Sequence, residues 1–275
     1  LYKKKFLYET NKALGVNTVL CSSIGIGKEG DNLIDLLKKQ NLSDLAIHRS
    51  KDRSTTTKTR VIGNGHQLVR IDHEVLEDMT TLDSFLLQQH FERELENADV
   101  VIMQDYNKGV LHKGNIETLI EIARKANIPV VVDPKKANFL AYKNVDLFKP
   151  NLKEIKEGLN IDTDLTTTEG VTEAIALMHE QLMNKVSMVT MSERGVLVST
   201  ADQQYHTKAH IRNISDVSGA GDTVISIAAC CLATDCSLKQ LSELSNLGGG
   251  LVCEEKGVVP ISKERLISEA ERIGL

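Results

Sequence analysis

The feature that most constrains the fold is an alternation of short β-rich runs with amphipathic helical stretches. Helical spacing of apolar residues over 116–126 and 171–183 predicts helices that cover a sheet. The pattern predicts an α/β fold with a mostly parallel sheet, because strands that alternate with helices are typical of βα units. The runs that predict buried strands are residues 18–24, 100–103, 129–133, 145–148 and 187–190.

One segment, residues 57–72, departs from this alternation. Two β-rich arms flank Asn64-Gly65, and Asn-Gly is a strong signal for a two-residue hairpin turn. No helical pattern follows the second arm. The segment therefore has two interpretations: a β lid that excludes water from a small-molecule site, or an edge hairpin that extends the sheet.

The chain changes character after residue 200. Residues 203–207 and 210–214 predict short strands, and an apolar helix is expected over 223–233. A further helix is expected over 238–255, because Ser237 and Gln240 have the spacing of a capping box. No repeat or Pro-rich linker interrupts the pattern, so we expect one domain over residues 1–275 with a lid insertion at 54–73.

Composition and charge favour a small-molecule partner over nucleic acid or a membrane. The 275 residues are 41% hydrophobic, the net charge is −5, and no Lys/Arg stripe is present. No apolar stretch reaches the roughly 20 residues that span a bilayer. The five cysteines lack C-x-x-C pairing and nearby ligand histidines, which argues against zinc and disulfides. We therefore predict a cytoplasmic protein.

The sharpest local signal for chemistry is the run from Asp216 to Asp222, in which Gly219-Ala220-Gly221 precedes a predicted helix. The first N–H groups of a helix lack partners, and a phosphate is stabilised there. A carboxylate at Asp222 would lie within reach of an attacking hydroxyl and could take its proton. The alternative is that Asp222 only complements the helix dipole. The acid directly after Gly-Ala-Gly favours the catalytic interpretation.

A second signal is Lys149-Pro150-Asn151, with Glu154 three residues after Asn151. The motif follows a predicted strand, at the sheet edge where open α/β sheets bind ligands. A carboxylate and an amide on one side of a helix start suit hydrated Mg²⁺ and its phosphates. Alone, the pair could equally be an ordinary capping box.

Cations near two other predicted strands and on the hairpin could hold phosphates as point charges. They could instead be solvated loop charges. The candidate substrate-binding residues are Asp105, Lys108, Lys135, Arg60 and Arg70.

Taken together, segments 216–222 and 151–154 and the Asn64-Gly65 hairpin resemble the ribokinase-like family of carbohydrate kinases, also called the phosphofructokinase-B family. The resemblance runs in order through nearly the whole chain. It implies a three-layer sandwich, in which helices flank a mostly parallel central sheet, with a small β lid.

Within that family, segments 63–72, 104–109, 132–135 and 216–225 are most similar to kinases of D-glycero-β-D-manno-heptose 7-phosphate. This resemblance implies that ATP phosphorylates the anomeric O1. The product would be the 1,7-bisphosphate on the route to ADP-heptose for lipopolysaccharide core.

The resemblance also implies roles for individual residues. Asp222 would be the catalytic base, and Gly219, Ala220 and Gly221 the anion hole. Asn151 and Glu154 match the family's Asn-x-x-Glu motif for Mg²⁺ and phosphate, with Glu154 acting on the metal through water. The positions that fall where the family lines its nucleotide pocket are Ser192, Glu193, Gly195, Asn246 and Gly249.

The cofactors and partners follow from the same resemblance. ATP and Mg²⁺ are implied, and a monovalent cation is compatible with the pattern. The substrate would be a phosphosugar. Lids in this family often pair with a neighbour's, so we expect a homodimer through the hairpin.

The chain departs from the family's pattern at its front. Relatives begin with a central strand ending in Gly-Asp and a Gly-Gly sugar-binding turn, whereas this sequence joins the pattern around Ala13-Leu14-Gly15. A sheet without an interior strand would leave buried backbone groups unpaired, so we expect that strand to be missing from the sequence and present in the protein. No H-x-G-H nucleotidyl-transfer motif occurs. The alternatives are a kinase for another sugar or nucleoside, or a non-catalytic sugar or nucleotide sensor.

Overall fold

The computed structural model describes residues 2–63, 66–210 and 212–275. The strands are β1 Ser22–Gly25, β2 Ile47–Ser50, β3 Thr57–Gly63, β4 His66–His73, β5 Val101–Gln104, β6 Val130–Asp133, β7 Leu147–Phe148, β8 Val186–Thr190, β9 Val196–Ser199 and β10 Gln204–Thr207. The α-helices are α1 Tyr2–Ala13, α2 Lys28–Lys39, α3 Thr81–Leu95, α4 Lys113–Lys125, α5 Leu152–Leu159, α6 Thr168–Leu182, α7 Ala220–Ala233, α8 Leu238–Val252 and α9 Lys263–Arg272.

The largest sheet has six strands in the order β10-β9-β8-β7-β6-β5. Strands β5 to β8 are parallel, and β9 and β10 run antiparallel at one edge. Side chains alternate between two hydrophobic cores: Val130 and Val132 of β6 pack into one, and Val131 packs into the other. The first core contains residues of α3 to α6, and the second contains residues of α7 to α9. The predicted three-layer α/β arrangement is confirmed.

Two smaller sheets complete the described structure. Strands β1 and β2 form a parallel pair that is separate from the six-stranded sheet. The strand predicted over 18–24 forms only from Ser22 onward, and Val19 makes an isolated bridge with Ser43.

Strands β3 and β4 form the predicted hairpin, whose turn residues Asn64 and Gly65 lie outside the described residues. The hairpin is an antiparallel sheet of its own, so the edge-hairpin interpretation is wrong. None of the described side chains of these two strands is buried.

The base of the hairpin is held by Arg53, which precedes β3. Its guanidinium donates to the carbonyl oxygens of Glu77 at 2.7 Å and Lys108 at 2.6 Å. Gly109 packs against the same place with φ +70°, and a Cβ there would lie 1.9 Å from the Glu77 carbonyl oxygen. The segments before β3 and after β4 therefore both contact the loop after β5.

A buried polar network joins β2 to α3. Asp83, in the first turn of α3, accepts hydrogen bonds from the Ser50 hydroxyl at 2.6 Å and lies 2.6 Å from His48 Nε2. Burial opposes the charged form of Asp83, but the hydrogen bonds from Ser50 and His48 outweigh it and hold the Asp83 pKa below its ordinary value.

The prediction of a strand over 210–214 is wrong, because the residues that the structure describes there form no strand. The main chain that follows turns toward the end of α8, where the Cys253 carbonyl accepts from the N–H groups of Ser215 and Asp216. Arg212 lies between two carboxylates: its Nη1 is 3.1 Å from Glu254 Oε1, and its Nη2 is 3.3 Å from Glu269 Oε2. In the described ranges, no helix combines the length and apolarity required to traverse a bilayer.

Candidate active site

The carboxyl ends of four strands bring most of the predicted chemistry to one edge of the large sheet. Asp105 follows β5, Asp133 ends β6, Lys149 follows β7 and Ser192 follows β8. Open α/β sheets bind their ligands at this edge. Helix α7 adds its N-terminus to the same region, because Gly221 lies beside Lys149.

Helix α7 begins without a side-chain cap, and Gly219 occupies its N-cap position with φ 90°. Helices α2 and α4 also lack a side-chain cap, whereas Thr80, Asn151 and Ser237 cap theirs. The Ala220 N–H donates to the Val217 carbonyl oxygen at 3.3 Å. The other first-turn N–H groups of α7 have no side-chain cap, and the helix dipole favours an anion there.

Two acidic residues flank this turn. Asp222 is half-buried in the first turn of α7. Asp216 accepts a hydrogen bond from the Ser218 N–H at 2.9 Å, and that main-chain contact holds the Asp216 pKa below its ordinary value. The run that was singled out in the sequence thus forms one compact turn at the helix start.

Tyr106, to which the sequence pattern assigned no role, lies within range of the charges of Asp222 and Asp133. Burial, followed by the negative charges of Asp222 and Asp133, raises the pKa of its phenol. Tyr106 therefore lies within electrostatic range of the α7 turn and of the end of β6.

Asp133 and Lys149 form an ion pair at the centre of this edge. Lys149 Nζ lies 3.2 Å from Asp133 Oδ1, and the two side chains are only 4% and 9% exposed. Gln104 donates to Asp133 Oδ2 at 2.7 Å. A Cβ added to Gly221 would lie 3.9 Å from Lys149 Nζ, which places the ammonium against the first turn of α7.

Asn151 and Glu154 make a reciprocal capping box at the start of α5. Asn151 Oδ1 accepts from the Glu154 N–H at 2.9 Å, and Glu154 Oε2 accepts from the Asn151 N–H at 3.0 Å. Lys135 donates to Glu154 Oε1. Burial disfavours the Lys135 ammonium, but the Glu154 hydrogen bond and the nearby carboxylates raise the Lys135 pKa above its ordinary value.

This donor set fits a hydrated magnesium ion better than a metal held by protein alone. In the part of the chain that is described, no group of three or more His, Cys, Asp or Glu side chains could hold a metal. Mg²⁺ usually keeps several waters and binds through one or two carboxylates and substrate phosphates. Each oxygen of Glu154 has a second lone pair that can accept from such a water.

Contacts link several of the positions that were expected at the nucleotide pocket. Asn151 bridges to Thr190 at the end of β8, directly before the exposed turn of Ser192 and Glu193. Gly195 has φ 87°, and a Cβ there would lie 2.1 Å from the Thr207 carbonyl oxygen.

Helix α8 contributes the last two residues that were expected at the nucleotide pocket, Asn246 and Gly249. Asn246 donates to the Lys208 carbonyl oxygen at 3.0 Å, next to the segment that Gly195 contacts. A Cβ on Gly249 would lie 2.7 Å from Val224, so this glycine lets α8 pack closely on α7.

Four of the five predicted substrate-binding residues are engaged by the protein itself, and Lys135 pairs with Glu154 and Arg70 with Asp72. Asp105 is fully buried, and its carboxylate accepts from Tyr142 at 2.9 Å and from the Asn107 N–H at 2.6 Å. Lys108 binds Glu74 at 2.5 Å. Asp105 therefore holds the loop after β5, and both of its carboxylate oxygens accept hydrogen bonds from the protein.

The hairpin presents two chemically different faces. The charged face carries Lys58, Arg60, Arg70 and Asp72, which pair as Lys58 with Asp72 and Arg60 with Arg70. Lys58 also binds Glu74 at 3.1 Å, and Glu74 binds Lys108. These ion pairs link the charged face to the loop after β5.

The opposite, apolar face carries Thr59, Val61, Val69 and Ile71, because successive side chains of a strand alternate. Val61, Val69 and Ile71 are 42%, 47% and 57% exposed. The apolar face is thus uncovered in the described structure.

A surface groove of about 480 Å³ lies elsewhere and contains none of these residues. It is lined by Lys113, Glu117, Leu140, Lys143 and Gln181. The candidate site is therefore identified by the charged side chains and the helix start that lie at one edge of the sheet, and not by the size of a cavity.

Comparison with known proteins gives consistent results. The sequence model described as pfkB family carbohydrate kinase matches residues 11–265. The bifunctional protein HldE of Coxiella burnetii is 34% identical over 92% of this chain and 52% of its own length. The bifunctional protein HldE of Helicobacter pylori is 30% identical over 92% of this chain and 54% of its length. The chain spans about half the length of these curated relatives.

Solved structures match the fold at lower identity. Phosphofructokinase-2 from Escherichia coli in complex with potassium has a TM-score of 0.82 at 19% identity, covering 98% of this chain and 87% of that one. Arabidopsis thaliana ribokinase complexed with ribose and ATP has a TM-score of 0.75 at 16% identity, covering 96% and 86%. These matches confirm the ribokinase-like fold.

Proposed function

Because this chain belongs to the pfkB family of carbohydrate kinases, a family of phosphotransferases, we propose that it transfers the terminal phosphoryl group of ATP to a phosphosugar. The proposed substrate is D-glycero-β-D-manno-heptose 7-phosphate, and the product is the 1,7-bisphosphate. The observation that carries the proposal is the uncapped first turn of α7, with Asp222 in the same turn. The similarity to bifunctional HldE proteins supports the heptose assignment.

In the proposed reaction, Asp222 is the general base. The sugar hydroxyl oxygen attacks the γ-phosphorus, the bond to the bridging oxygen of ADP breaks, and the hydroxyl proton passes to the Asp222 carboxylate. The N–H groups at Gly219, Ala220 and Gly221 would bind the oxygens of the transferred group. The protein thereby supplies position and positive potential without a covalent intermediate.

The nucleotide would lie along the region from Asn151 to α8. Asn151 and Glu154 would orient hydrated Mg²⁺, and Ser192, Glu193 and Gly195 with Asn246 and Gly249 would border the nucleotide. Mg²⁺, when bound, neutralises charge between the phosphates. We include a monovalent cation because phosphofructokinase-2 of the same fold was solved in complex with potassium.

The sugar phosphate would be held from the lid. Arg60 and Arg70 lie on the charged face of the hairpin, and their side chains are exposed. Lys108 and Lys135 would contribute positive potential from the sheet edge, although both already bind carboxylates. We omit Asp105 from the proposed substrate contacts.

We propose that residues 1–275 form one kinase domain with residues 54–73 as its lid, and that two copies pair through the apolar faces of their lids. A two-stranded hairpin alone is marginally stable in water, and a second copy would cover Val61, Val69 and Ile71. The tetrameric inhibited form of phosphofructokinase-2 shows that a protein of this fold can assemble. All five cysteines are free, in keeping with a cytoplasmic site of action.

A substrate panel tests the proposal. The full-length protein is incubated with MgATP and, separately, heptose 7-phosphate, fructose 6-phosphate, ribose or adenosine, and ADP release is measured. We expect the highest kcat/KM with heptose 7-phosphate. A preference for another acceptor would replace the heptose assignment with a different kinase. Binding of sugar and ATP without ADP release from any acceptor would favour the sensor alternative.

A further inference from the structure

Three cysteines lie close together where α7 ends. Cys230 and Cys231 belong to the last turn of α7, and Cys236 directly precedes Ser237, the N-cap residue of α8. Four residues separate Cys231 from Cys236, which is not the C-x-x-C spacing of common redox and zinc motifs. The proposed reaction assigns no role to these thiols.

The end of α7 has the hydrogen bonds of a Schellman motif. The Cys236 N–H donates to the Cys231 carbonyl oxygen at 2.9 Å. The Asp235 N–H donates to the Leu232 carbonyl oxygen at 3.4 Å, and Asp235 has the left-handed φ of 52° that ends a helix in this motif. The motif brings the residue after the left-handed one into contact with the third residue from the helix end. Those two residues are Cys236 and Cys231.

The two cysteine side chains share one apolar environment. Cys231 belongs to the second hydrophobic core, and Cys236 packs against that core. Burial raises the pKa of the Cys231 thiol, and the nearby Cys236 thiol raises it further. The two sulfur atoms are therefore within range of each other.

The two thiols differ in their access to solvent. Cys231 is 4% exposed, whereas Cys236 is partly exposed and lies between the exposed residues Asp235 and Ser237. An oxidant that arrives from solvent therefore meets Cys236 first. Redox-sensitive cysteines are solvent-accessible and often lie next to a second, resolving cysteine. The end of α7 meets both conditions.

We propose that Cys236 and Cys231 form a modification site at which hydrogen peroxide produces a reversible disulfide. The Cys236 sulfur attacks one peroxide oxygen, the O–O bond breaks, and the leaving hydroxide takes the thiol proton as water. The Cys231 sulfur then attacks the sulfenic sulfur of Cys236, the S–O bond breaks, and hydroxide leaves with the Cys231 proton as a second water. Two thiols are oxidised by two electrons, and one peroxide is reduced to two waters.

The disulfide would join the last turn of α7 to the segment that starts α8. These helices contribute Asp222 and Asn246 to the candidate site. A transient disulfide is compatible with a cytoplasmic protein, because cytosolic disulfides are usually catalytic or redox-sensing. The inference is independent of the proposed kinase function, since it needs only the folded chain and a peroxide.

The experiment treats the reduced full-length protein with hydrogen peroxide and analyses its tryptic peptides by mass spectrometry without reduction. Residues 213–239 form one tryptic peptide, which contains Cys230, Cys231 and Cys236. We expect this peptide to lose the mass of two hydrogen atoms and two of its alkylatable thiols. Dithiothreitol should restore both thiols.

Three alanine variants identify the pair. Cys230→Ala is the matched control, because Cys230 is adjacent to Cys231 but lies outside the Schellman contact, and this variant should keep the disulfide. Cys236→Ala should lose the disulfide and leave Cys231 reduced. Cys231→Ala should also lose it, and the Cys236 sulfenic acid should then be labelled by dimedone.

Thermal unfolding verifies that each variant is folded. Cys230 and Cys236 are partly exposed, so the variants at these two positions decide the pairing even if Cys231→Ala does not fold. A wild-type peptide that keeps all its thiols in peroxide would overturn the proposal. A disulfide that disappears in Cys230→Ala, or persists in Cys236→Ala, would overturn it as well.

Discussion

Arg60 lies directly opposite Arg70 in the antiparallel register of β3 and β4. Like charges that face each other across a strand pair are destabilising. Asp72 offsets part of this repulsion, because its Oδ1 lies 3.0 Å from Arg70 Nε. No carboxylate of the described residues pairs with Arg60. A bound phosphate would neutralise both guanidinium groups.

The first prediction concerns this arginine pair. Arg60→Leu should raise the KM for the phosphosugar about 10-fold to 100-fold, as expected for loss of a hydrogen bond to a charged group, and should leave the KM for ATP unchanged. Steady-state kinetics with each substrate varied in turn provide the measurement. Arg124→Leu, which removes an exposed arginine paired with Glu121, is the control. An unchanged phosphosugar KM in Arg60→Leu would exclude the contact.

The second prediction concerns the base. Asp222→Asn keeps the shape of the side chain and removes its proton acceptor, so kcat should fall about 100-fold to 10,000-fold. ATP binding, measured by calorimetry, should survive because the first-turn N–H groups remain. Asp202→Asn, on an exposed turn, is the control. Turnover within threefold of wild type in Asp222→Asn would remove Asp222 from the mechanism.

The third prediction compares two glycines that both have positive φ. Gly195 and Gly257 both have positive φ, at 87° and 79°, but a Cβ meets the Thr207 carbonyl at 2.1 Å only at Gly195. Gly257→Ala should cost about 1–2 kcal/mol of unfolding free energy from its left-handed backbone alone. Gly195→Ala should cost clearly more and weaken ATP binding. Urea unfolding of both variants measures the difference, and equal losses would contradict the overlap.

The fourth prediction concerns pH and the buried network of Asp83. The Asp83 pKa is below its ordinary value in the folded protein, so the stability that its ionisation contributes is present above the unfolded-state pKa and lost as pH falls through the folded-state pKa. Asp83→Asn should cost about 1–3 kcal/mol at neutral pH by leaving Ser50 or His48 poorly paired. The difference in unfolding free energy between Asp83→Asn and the wild type should become smaller below about pH 4. Denaturant unfolding at pH 7 and pH 3 measures this, and a constant gap would oppose the assignment.

The fifth prediction concerns assembly. Val69→Asp places a charge on the apolar face of the hairpin and should convert a dimer to monomers in analytical ultracentrifugation. Leu140→Asp introduces the same charge at another exposed apolar residue, away from the hairpin, and should leave the mass unchanged. A wild-type protein that sediments as a monomer would refute pairing through the lids.

Much of the architecture could be predicted from local pattern. Sequence pattern located five of the six strands of the large sheet but missed β9, and Asn64-Gly65 located the hairpin of β3 and β4. The α7 turn and the Asn151–Glu154 box were also visible, because capping and phosphate-binding signals act over a few residues.

The remaining features depend on contacts between distant segments. The ion pair of Lys149 with Asp133 and the environment of Tyr106 arise where separate strands end, so spacing along the chain could not reveal them. Lys149 did carry one signal, its place between a buried strand and the Asn151 cap. Residues 210–214 have strand-like composition, but Arg212 binds Glu254 and Glu269. The main-chain N–H groups that follow donate to the Cys253 carbonyl oxygen at the end of α8.

The two faces of the hairpin have a consequence for how the enzyme would be assayed. The same two strands would contact substrate on one side and a second copy on the other, so loss of the neighbour would loosen the substrate contacts. By mass action, specific activity should then fall on dilution below the dimer dissociation constant and recover when the sample is concentrated or phosphosugar is added.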